Sequence, residues 1–143
     1  MATATARPAA RPRRPSAAVA PRLTPQALCH YFAAQLDAEL GPHDVHRLLE
    51  ADEGGFVLLD VRSREGFTEA HLPGAQHIPL AALEQWLGEL PKDQEIITYC
   101  WNVTCMASVR AAWLLATHGF RARVMVGGIE AWTADGFAVE RGA

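Results

Sequence analysis

Three short apolar segments constrain the fold of this chain most. Residues 56–61, 96–99 and 124–126 are almost continuously apolar, which is typical of strands buried on both faces of a parallel sheet. Stretches with apolar residues at helical spacing lie between them. Strands that alternate with helices require right-handed crossovers. The sequence therefore predicts an α/β fold with a central parallel sheet and helices on both of its faces.

Helices are predicted from capping residues and apolar spacing. Thr24 and Pro25 are typical of a helix start, and we expect a helix over residues 25–35. Apolar and acidic residues alternate over 36–40, which predicts a short edge strand, and Pro42 begins the next helix. The apolar faces of this helix and of the two long helical segments after it are formed by Val45, Leu48 and Leu49, by Leu83, Trp86, Leu87 and Leu90, and by Val109, Ala112, Trp113 and Ala116.

Charge is distributed unevenly along the chain. Residues 1–22 contain five arginines, several prolines and no acidic residue. We expect a disordered tail there rather than a transit peptide, because prolines oppose the amphipathic helix that such a peptide needs. Residues 23–143, the expected domain, contain 8 basic and 16 acidic residues. Their net charge of −8 argues against nucleic-acid binding through a broad basic face, and no apolar run predicts a membrane-spanning helix.

The chain contains three cysteines, Cys29, Cys100 and Cys105. An odd number argues against a secreted scaffold held by disulfides. It favours a reducing compartment, for which we expect the cytoplasm, or a reactive thiol.

Cys100 has the position of a reactive cysteine. It stands at the carboxyl end of a predicted central strand and shortly before a helix, at the sheet edge where α/β proteins place their chemistry. The backbone N–H groups at a helix start favour an anion, so we expect them to stabilise the thiolate. The same position is also compatible with a buried cysteine that acts as a small apolar residue.

Five separated segments resemble the rhodanese family. They are LDVR at 59–62, FTEAHLPGAQHIP at 67–79, YC at 99–100, AAWLL at 111–115 with Gly119 and Phe120, and VGGIEAW at 126–132. In this order they cover about residues 40–137. The resemblance implies a rhodanese-like three-layer fold over residues 23–143, with a central parallel sheet and helices on both faces.

The resemblance also implies a function. Cys100 would take a sulfane sulfur from thiosulfate or a persulfide, hold it as a persulfide, and pass it to a thiol, to cyanide or to an acceptor protein. No cofactor or metal is implied. Loop N–H groups would bind the persulfide, and the hydroxyls of Thr104 and Ser108 would add hydrogen bonds. The expected binding loop is Trp101, Asn102, Val103, Thr104, Cys105, Met106, Ala107 and Ser108.

The loop departs from the commonest pattern of the family. It has no glycine and no basic residue between Cys100 and Ser108, and Arg110, on the following helix, is the nearest cation. The resemblance is to a subgroup with tryptophan after the active cysteine and a second cysteine five residues on. Thiosulfate is a dianion, so we expect it to be a poor donor.

Alternatives remain open for the two loop cysteines. Cys100 could be incidental in a binding module, or could form a reversible disulfide with Cys105 in a redox switch. A phosphatase loop needs arginine six residues after its cysteine, where this chain has Met106. A metal site lacks further ligands at suitable spacing.

Five further residues have more than one interpretation. Asp60 and Arg62 lie at a strand end, where we favour a structural ion pair that supports the loop over direct contact with substrate. His71 and His77 could be general bases, but packing or hydrogen bonding is favoured. Trp101 could form a wall of the pocket or contact a partner.

Overall fold

The computed structural model describes residues 22–143, so residues 1–21 of the predicted tail lie outside the described residues. In chain order, the elements are α1 (Pro25–Ala38), β1 (Glu39–Leu40), α2 (Pro42–Ala51), β2 (Phe56–Asp60), α3 (Arg64–Glu69), β3 (Gln76–His77), α4 (Leu83–Trp86), β4 (Glu95–Tyr99), α5 (Ala107–Thr117), β5 (Ala122–Met125) and α6 (Gly128–Ala134). Short 3₁₀ turns flank α4 on both sides.

The five strands form one parallel sheet in the order β1-β5-β4-β2-β3. Successive residues of a strand point to opposite faces, so Ile96 and Ile97 of β4 belong to two separate cores. One core contains Leu83 of α4 with Ala111 and Leu115 of α5, and the other contains Val45 of α2 with Ile129 and Trp132 of α6. This three-layer arrangement confirms the predicted α/β fold. No helix in the described part of the chain is both long and apolar enough to span a membrane.

The predicted edge strand over residues 36–40 is mostly wrong. Helix α1 continues to Ala38, and the strand contains only Glu39 and Leu40. The backbone N–H of Glu39 still donates to the carbonyl of Gln35, which keeps the preceding residues in the helical hydrogen-bond pattern. Leu36 is therefore an exposed helix residue, and five alternating residues were too few to distinguish a strand from a helix end.

The predicted inner faces of the helices are partly wrong. In α2, Val45 is fully buried but Leu48 is exposed. In the segment around α4, Leu83 and Leu90 are buried while Trp86 is exposed, because 3₁₀ turns interrupt the expected continuous helix. Leu48 and Trp86 therefore lie on the solvent side of these segments.

Helix α5 is rotated relative to the prediction. Its buried residues are Ser108, Ala111 and Leu115, whereas Val109 and Trp113 are exposed. Small side chains allow the helix to approach β4 and β5 closely, and this packing outweighs the larger apolar area of the opposite face. The rotation turns Ser108 towards the end of β4, where the site is built.

Candidate active site

Cys100 directly follows β4 and is only 1% exposed. Its thiol donates a hydrogen bond to the backbone carbonyl of Cys105, with 3.2 Å between sulfur and oxygen. The hydroxyl oxygen of Ser108, in the first turn of α5, lies 3.4 Å from the same sulfur. The fold thus encloses one cysteine sulfur between the loop and a helix start.

Burial raises the pKa of the Cys100 thiol, and the neighbouring Cys105 side chain raises it further. The backbone N–H and the hydroxyl of Ser108 act in the opposite direction. We expected the helix start to favour the thiolate. The backbone N–H of Ser108 does favour it, but desolvation of the enclosed sulfur outweighs this contribution and leaves the pKa of the free thiol raised.

Cys105 is only half-buried, and its pKa is shifted in the opposite direction to that of Cys100. Burial acts to raise the pKa of Cys105, but a hydrogen bond with the Cys100 side chain and hydrogen bonds with the backbone at Ala107 and Trp101 hold it below its ordinary value. Both are free cysteines, and the contact that the structure shows between the two residues joins the Cys100 sulfur to the Cys105 backbone carbonyl.

Asn102 organises the turn between the two cysteines. Its side-chain oxygen accepts hydrogen bonds from the backbone N–H groups of Thr104 and Cys105, both at 3.1 Å, and from the Thr104 hydroxyl at 2.8 Å. This arrangement corrects part of the predicted persulfide cradle. Two N–H groups and the Thr104 hydroxyl bind Asn102, whereas Ser108 contacts the sulfur.

The side chain of Trp101 packs against Arg62 and Gly66, although 42% of the residue is exposed. The guanidinium carbon of Arg62 lies 4.5 Å from the centre of the indole ring, which is a cation–π contact. On α3, Gly66 leaves room for the indole, since a β-carbon there would lie 2.6 Å from it. No local sequence pattern indicated this role of Gly66.

We predict that Gly66→Ala lowers the free energy of unfolding by about 1–3 kcal/mol, because the added methyl group overlaps the rigid indole. Urea unfolding would measure this. Gly88→Ala is the control, since a β-carbon at Gly88 has no neighbour within 4 Å. In a Trp101→Ala background, Gly66→Ala should cost little. An equal cost in both backgrounds would show that the indole is not the cause.

Asp60 and Arg62 form a buried ion pair, with 2.7 Å between the Asp60 carboxylate and Nη2 of Arg62. Asp60 also accepts hydrogen bonds from the backbone N–H of Arg62 at 3.0 Å and from the Tyr99 hydroxyl at 2.7 Å. Burial and the Asp60 charge raise the pKa of Tyr99, so the phenol remains a hydrogen-bond donor. Arg62 also donates to the carbonyl of Ala70 at 2.6 Å. The pair supports Trp101 from below and does not contact the Cys100 sulfur.

The start of α6 holds the other side of the loop. The backbone N–H of Ile129 donates to the carbonyl of Cys100 at 2.9 Å, and that of Glu130 donates to the carbonyl of Trp101 at 3.0 Å. Gly128 adopts a positive φ of 62°, and a β-carbon there would collide with the Cys100 carbonyl. Gly128 belongs to the family-like segment at 126–132, and its close contact with Cys100 was not predicted from the sequence.

The remaining candidates lie away from the sulfur. Arg110 is exposed on α5. Nδ1 of His71 lies 2.8 Å from the carbonyl of Phe67, and Nε2 of His77 lies 2.9 Å from the carbonyl of Arg62. Both histidines also stack on Phe67, which is the packing arrangement that we favoured. Within residues 22–143, no group of three or more His, Cys, Asp or Glu side chains is placed to bind a metal ion.

Two depressions flank the loop. The first, of about 260 Å³, is lined by Glu39, Asn102, Val103, Cys105, Met106, Ser108, Val109, Val124, Met125, Val126 and Gly127. The second, of about 350 Å³, lies beside Trp101 and is lined by Arg62, Gly66, Glu69, Ala70, Asn102, Ile129, Glu130 and Thr133. The wall of the first is mainly apolar with one carboxylate and no cation. The only cation of the second, Arg62, is paired with Asp60.

Comparison with known proteins identifies relatives of this chain. The sequence model of the Rhodanese-like domain family matches residues 41–135. The BH2092 protein of Bacillus halodurans, a solved structure, superposes with a TM-score of 0.77 at 32% identity, covering 82% of this chain and 87% of that protein.

Curated relatives include sulfur-handling proteins and a regulator. Thiosulfate sulfurtransferase GlpE of Coxiella burnetii is 30% identical over 54% of this chain and 72% of GlpE. The putative sulfur carrier protein YrkF of Bacillus subtilis is 36% identical over 59% of this chain and 45% of YrkF. The HTH-type transcriptional regulator Rv0324 of Mycobacterium tuberculosis is 35% identical over 67% of this chain, but the match spans only 43% of the regulator.

Proposed function

Because this chain belongs to the rhodanese-like domain family, we propose that it is a sulfurtransferase that carries a sulfane sulfur as a persulfide on Cys100. The observation that carries the proposal is the enclosed Cys100 sulfur, placed at a strand end with the Ser108 hydroxyl 3.4 Å away. The likeness to a thiosulfate sulfurtransferase supports it. A reducing, cytoplasmic compartment would keep this thiol available for the reaction.

The proposed reaction has two steps and needs no cofactor. The Cys100 thiolate attacks the outer sulfur of the donor, a bond forms between the two sulfurs, and the donor leaves with the electron pair of its own sulfur bond. Thiosulfate would leave as sulfite and a persulfide would leave as a thiolate. An acceptor thiolate or cyanide then attacks the outer sulfur on Cys100, which regenerates the Cys100 thiolate.

Ser108 is the group best placed to assist this cycle. Its backbone N–H and hydroxyl both favour the Cys100 thiolate, which is the form required for attack and the form regenerated at release. Asn102 and the start of α6 fix the backbone around the sulfur. These groups position the loop and leave the covalent chemistry to Cys100.

We predict that thiosulfate, a dianion, is a poor donor compared with a less charged persulfide, because the depression next to Ser108 has a carboxylate and no cation. Steady-state formation of thiocyanate from cyanide would measure both donors. Val103→Arg should lower the KM for thiosulfate by about tenfold, since arginine binds such oxyanions well, while Val103→Gln is the uncharged control. A wild-type KM for thiosulfate well below that for the persulfide would contradict the prediction. No turnover with either donor would contradict the proposed function.

A redox switch is the second candidate, and the 3.2 Å contact of the Cys100 sulfur with the backbone of Cys105 favours it, because it places the two cysteines next to each other. We predict that one equivalent of hydrogen peroxide oxidises Cys100 and Cys105 to a disulfide, with release of two water molecules, and that reductant restores sulfur transfer. Non-reducing peptide mapping would detect the bond. Oxidation of Cys100 to sulfenic or sulfinic acid, with Cys105 still a free thiol, would rule out this switch.

A further inference from the structure

Cys100 is 1% exposed and lines neither depression itself, so the residues around its sulfur indicate from which side a substrate would approach. Two residues contact the Cys100 sulfur: Cys105 through its backbone carbonyl and Ser108 through its hydroxyl. Both line the 260 Å³ depression, which we call the β5-side cavity, and neither lines the depression beside Trp101. The second depression is instead lined by Trp101, whose indole contacts Arg62 and Gly66.

We propose that the β5-side cavity is the binding site for the thiol that accepts sulfur, and that it selects small apolar thiols that are neutral or positively charged over anionic ones. This inference rests on the proposed function of Cys100. It goes beyond that function because it assigns the site and the charge class of the acceptor.

The apolar wall determines the first part of this selectivity. Val103, Met106, Val109 and Val126 are exposed apolar residues around the opening of the cavity, and burial of a hydrocarbon group against them is favourable. A volume of about 260 Å³ lies below the usual range for drug-sized ligands. The cavity therefore suits a low-molecular-weight thiol.

Charge determines the second part. Glu39 is the only charged residue in the wall, and its side chain accepts a hydrogen bond from Gln35 at 3.1 Å. An anionic acceptor is repelled by this carboxylate, whereas an ammonium group is attracted to it.

The acceptor step in this site is a displacement at sulfur by a thiolate. The acceptor thiolate attacks the outer sulfur of the Cys100 persulfide and forms a new sulfur–sulfur bond. The bond between that sulfur and Cys100 breaks, and its electron pair stays on Cys100 as a thiolate. No external oxidant or reductant is needed.

The test is a single-turnover experiment on protein loaded with one sulfane sulfur and freed of donor. Discharge rates would be measured with 2-aminoethanethiol as the cationic acceptor and mercaptoacetate as the anionic one. For wild type, the ratio of the two rates should fall as ionic strength rises. Glu39→Gln should reduce this ratio by about three- to fivefold at low salt, in the range of an exposed charge pair. Glu130→Gln, in the other depression, should leave it unchanged.

A second pair of variants tests the site without relying on charge. Val109→Trp fills the β5-side cavity and should slow discharge to both thiols by about tenfold or more, because the attacking sulfur loses its position. Thr133→Trp fills the depression beside Trp101 and should have little effect. The thermal midpoints of both variants would show that they are folded.

Each result decides one claim. An unchanged rate ratio in Glu39→Gln, or slower discharge in Thr133→Trp than in Val109→Trp, would overturn the site assignment while the function stands. If wild-type protein cannot be loaded with sulfur at all, the proposed function fails and this inference fails with it.

Discussion

Replacing Cys100 with serine should reduce sulfur transfer on the order of a thousandfold or more, because the hydroxyl is a far weaker nucleophile than a thiolate and forms no persulfide. The fold should survive. Cys100 is enclosed, and a serine hydroxyl is nearly isosteric and retains hydrogen-bond partners in the Cys105 carbonyl and Ser108. Thiocyanate formation measures the first effect, and a thermal midpoint within about 4 °C of wild type measures the second.

Cys29→Ser is the matched control, since Cys29 is exposed on α1 and distant in sequence from the loop. It should keep both activity and stability. Full activity in Cys100→Ser together with loss of activity in Cys105→Ser would show that Cys105 carries the chemistry, and would contradict the account.

Replacing Asp60 with asparagine should lower the free energy of unfolding by about 3–5 kcal/mol. The change is nearly isosteric but removes the negative charge opposite Arg62, whose side chain is only 1% exposed. A buried guanidinium without its carboxylate is costly because its desolvated positive charge is no longer compensated. The Tyr99 hydroxyl also loses a charged acceptor. Urea unfolding followed by circular dichroism measures the effect.

Asp37→Asn makes the same chemical change in an exposed pair, in which Asp37 lies 3.9 Å from Arg121 and is 75% exposed. Exposed pairs contribute about 1 kcal/mol or less, so this variant should stay close to wild type. Equal effects of the two substitutions would show that the Asp60–Arg62 pair does not stabilise the domain as its burial indicates.

The sequence was sufficient to predict the sheet and the place of its chemistry. Continuous apolar runs gave β2, β4 and β5 to within one or two residues. Cys100 follows β4 because a strand ending before a loop and a helix has few other arrangements in a parallel sheet. Asp60 and Arg62 were expected to form a structural ion pair, because opposite charges two residues apart at a strand end more often support a loop than contact substrate.

The arrangement inside the loop depends on contacts between distant segments, which a local pattern does not reveal. The indole of Trp101 packs against Gly66, thirty-five residues earlier, and the carbonyl of Cys100 binds the start of α6. The buried face of α5 was missed because Ser108 and Ala111 are less apolar than Trp113. Close packing on the sheet selected small residues there rather than hydrophobic ones.

The measurement that tests the central claim most directly is mass spectrometry of the intact protein after incubation with a sulfur donor, followed by alkylation and trypsin. Cys100 and Cys105 fall in one peptide, residues 93–110, between Lys92 and Arg110, so fragmentation between the two cysteines must locate the added sulfur. The account predicts a gain of one sulfur atom on Cys100. Unmodified Cys100 in protein exposed to both thiosulfate and a less charged persulfide would contradict it, and would leave the domain as a binding module.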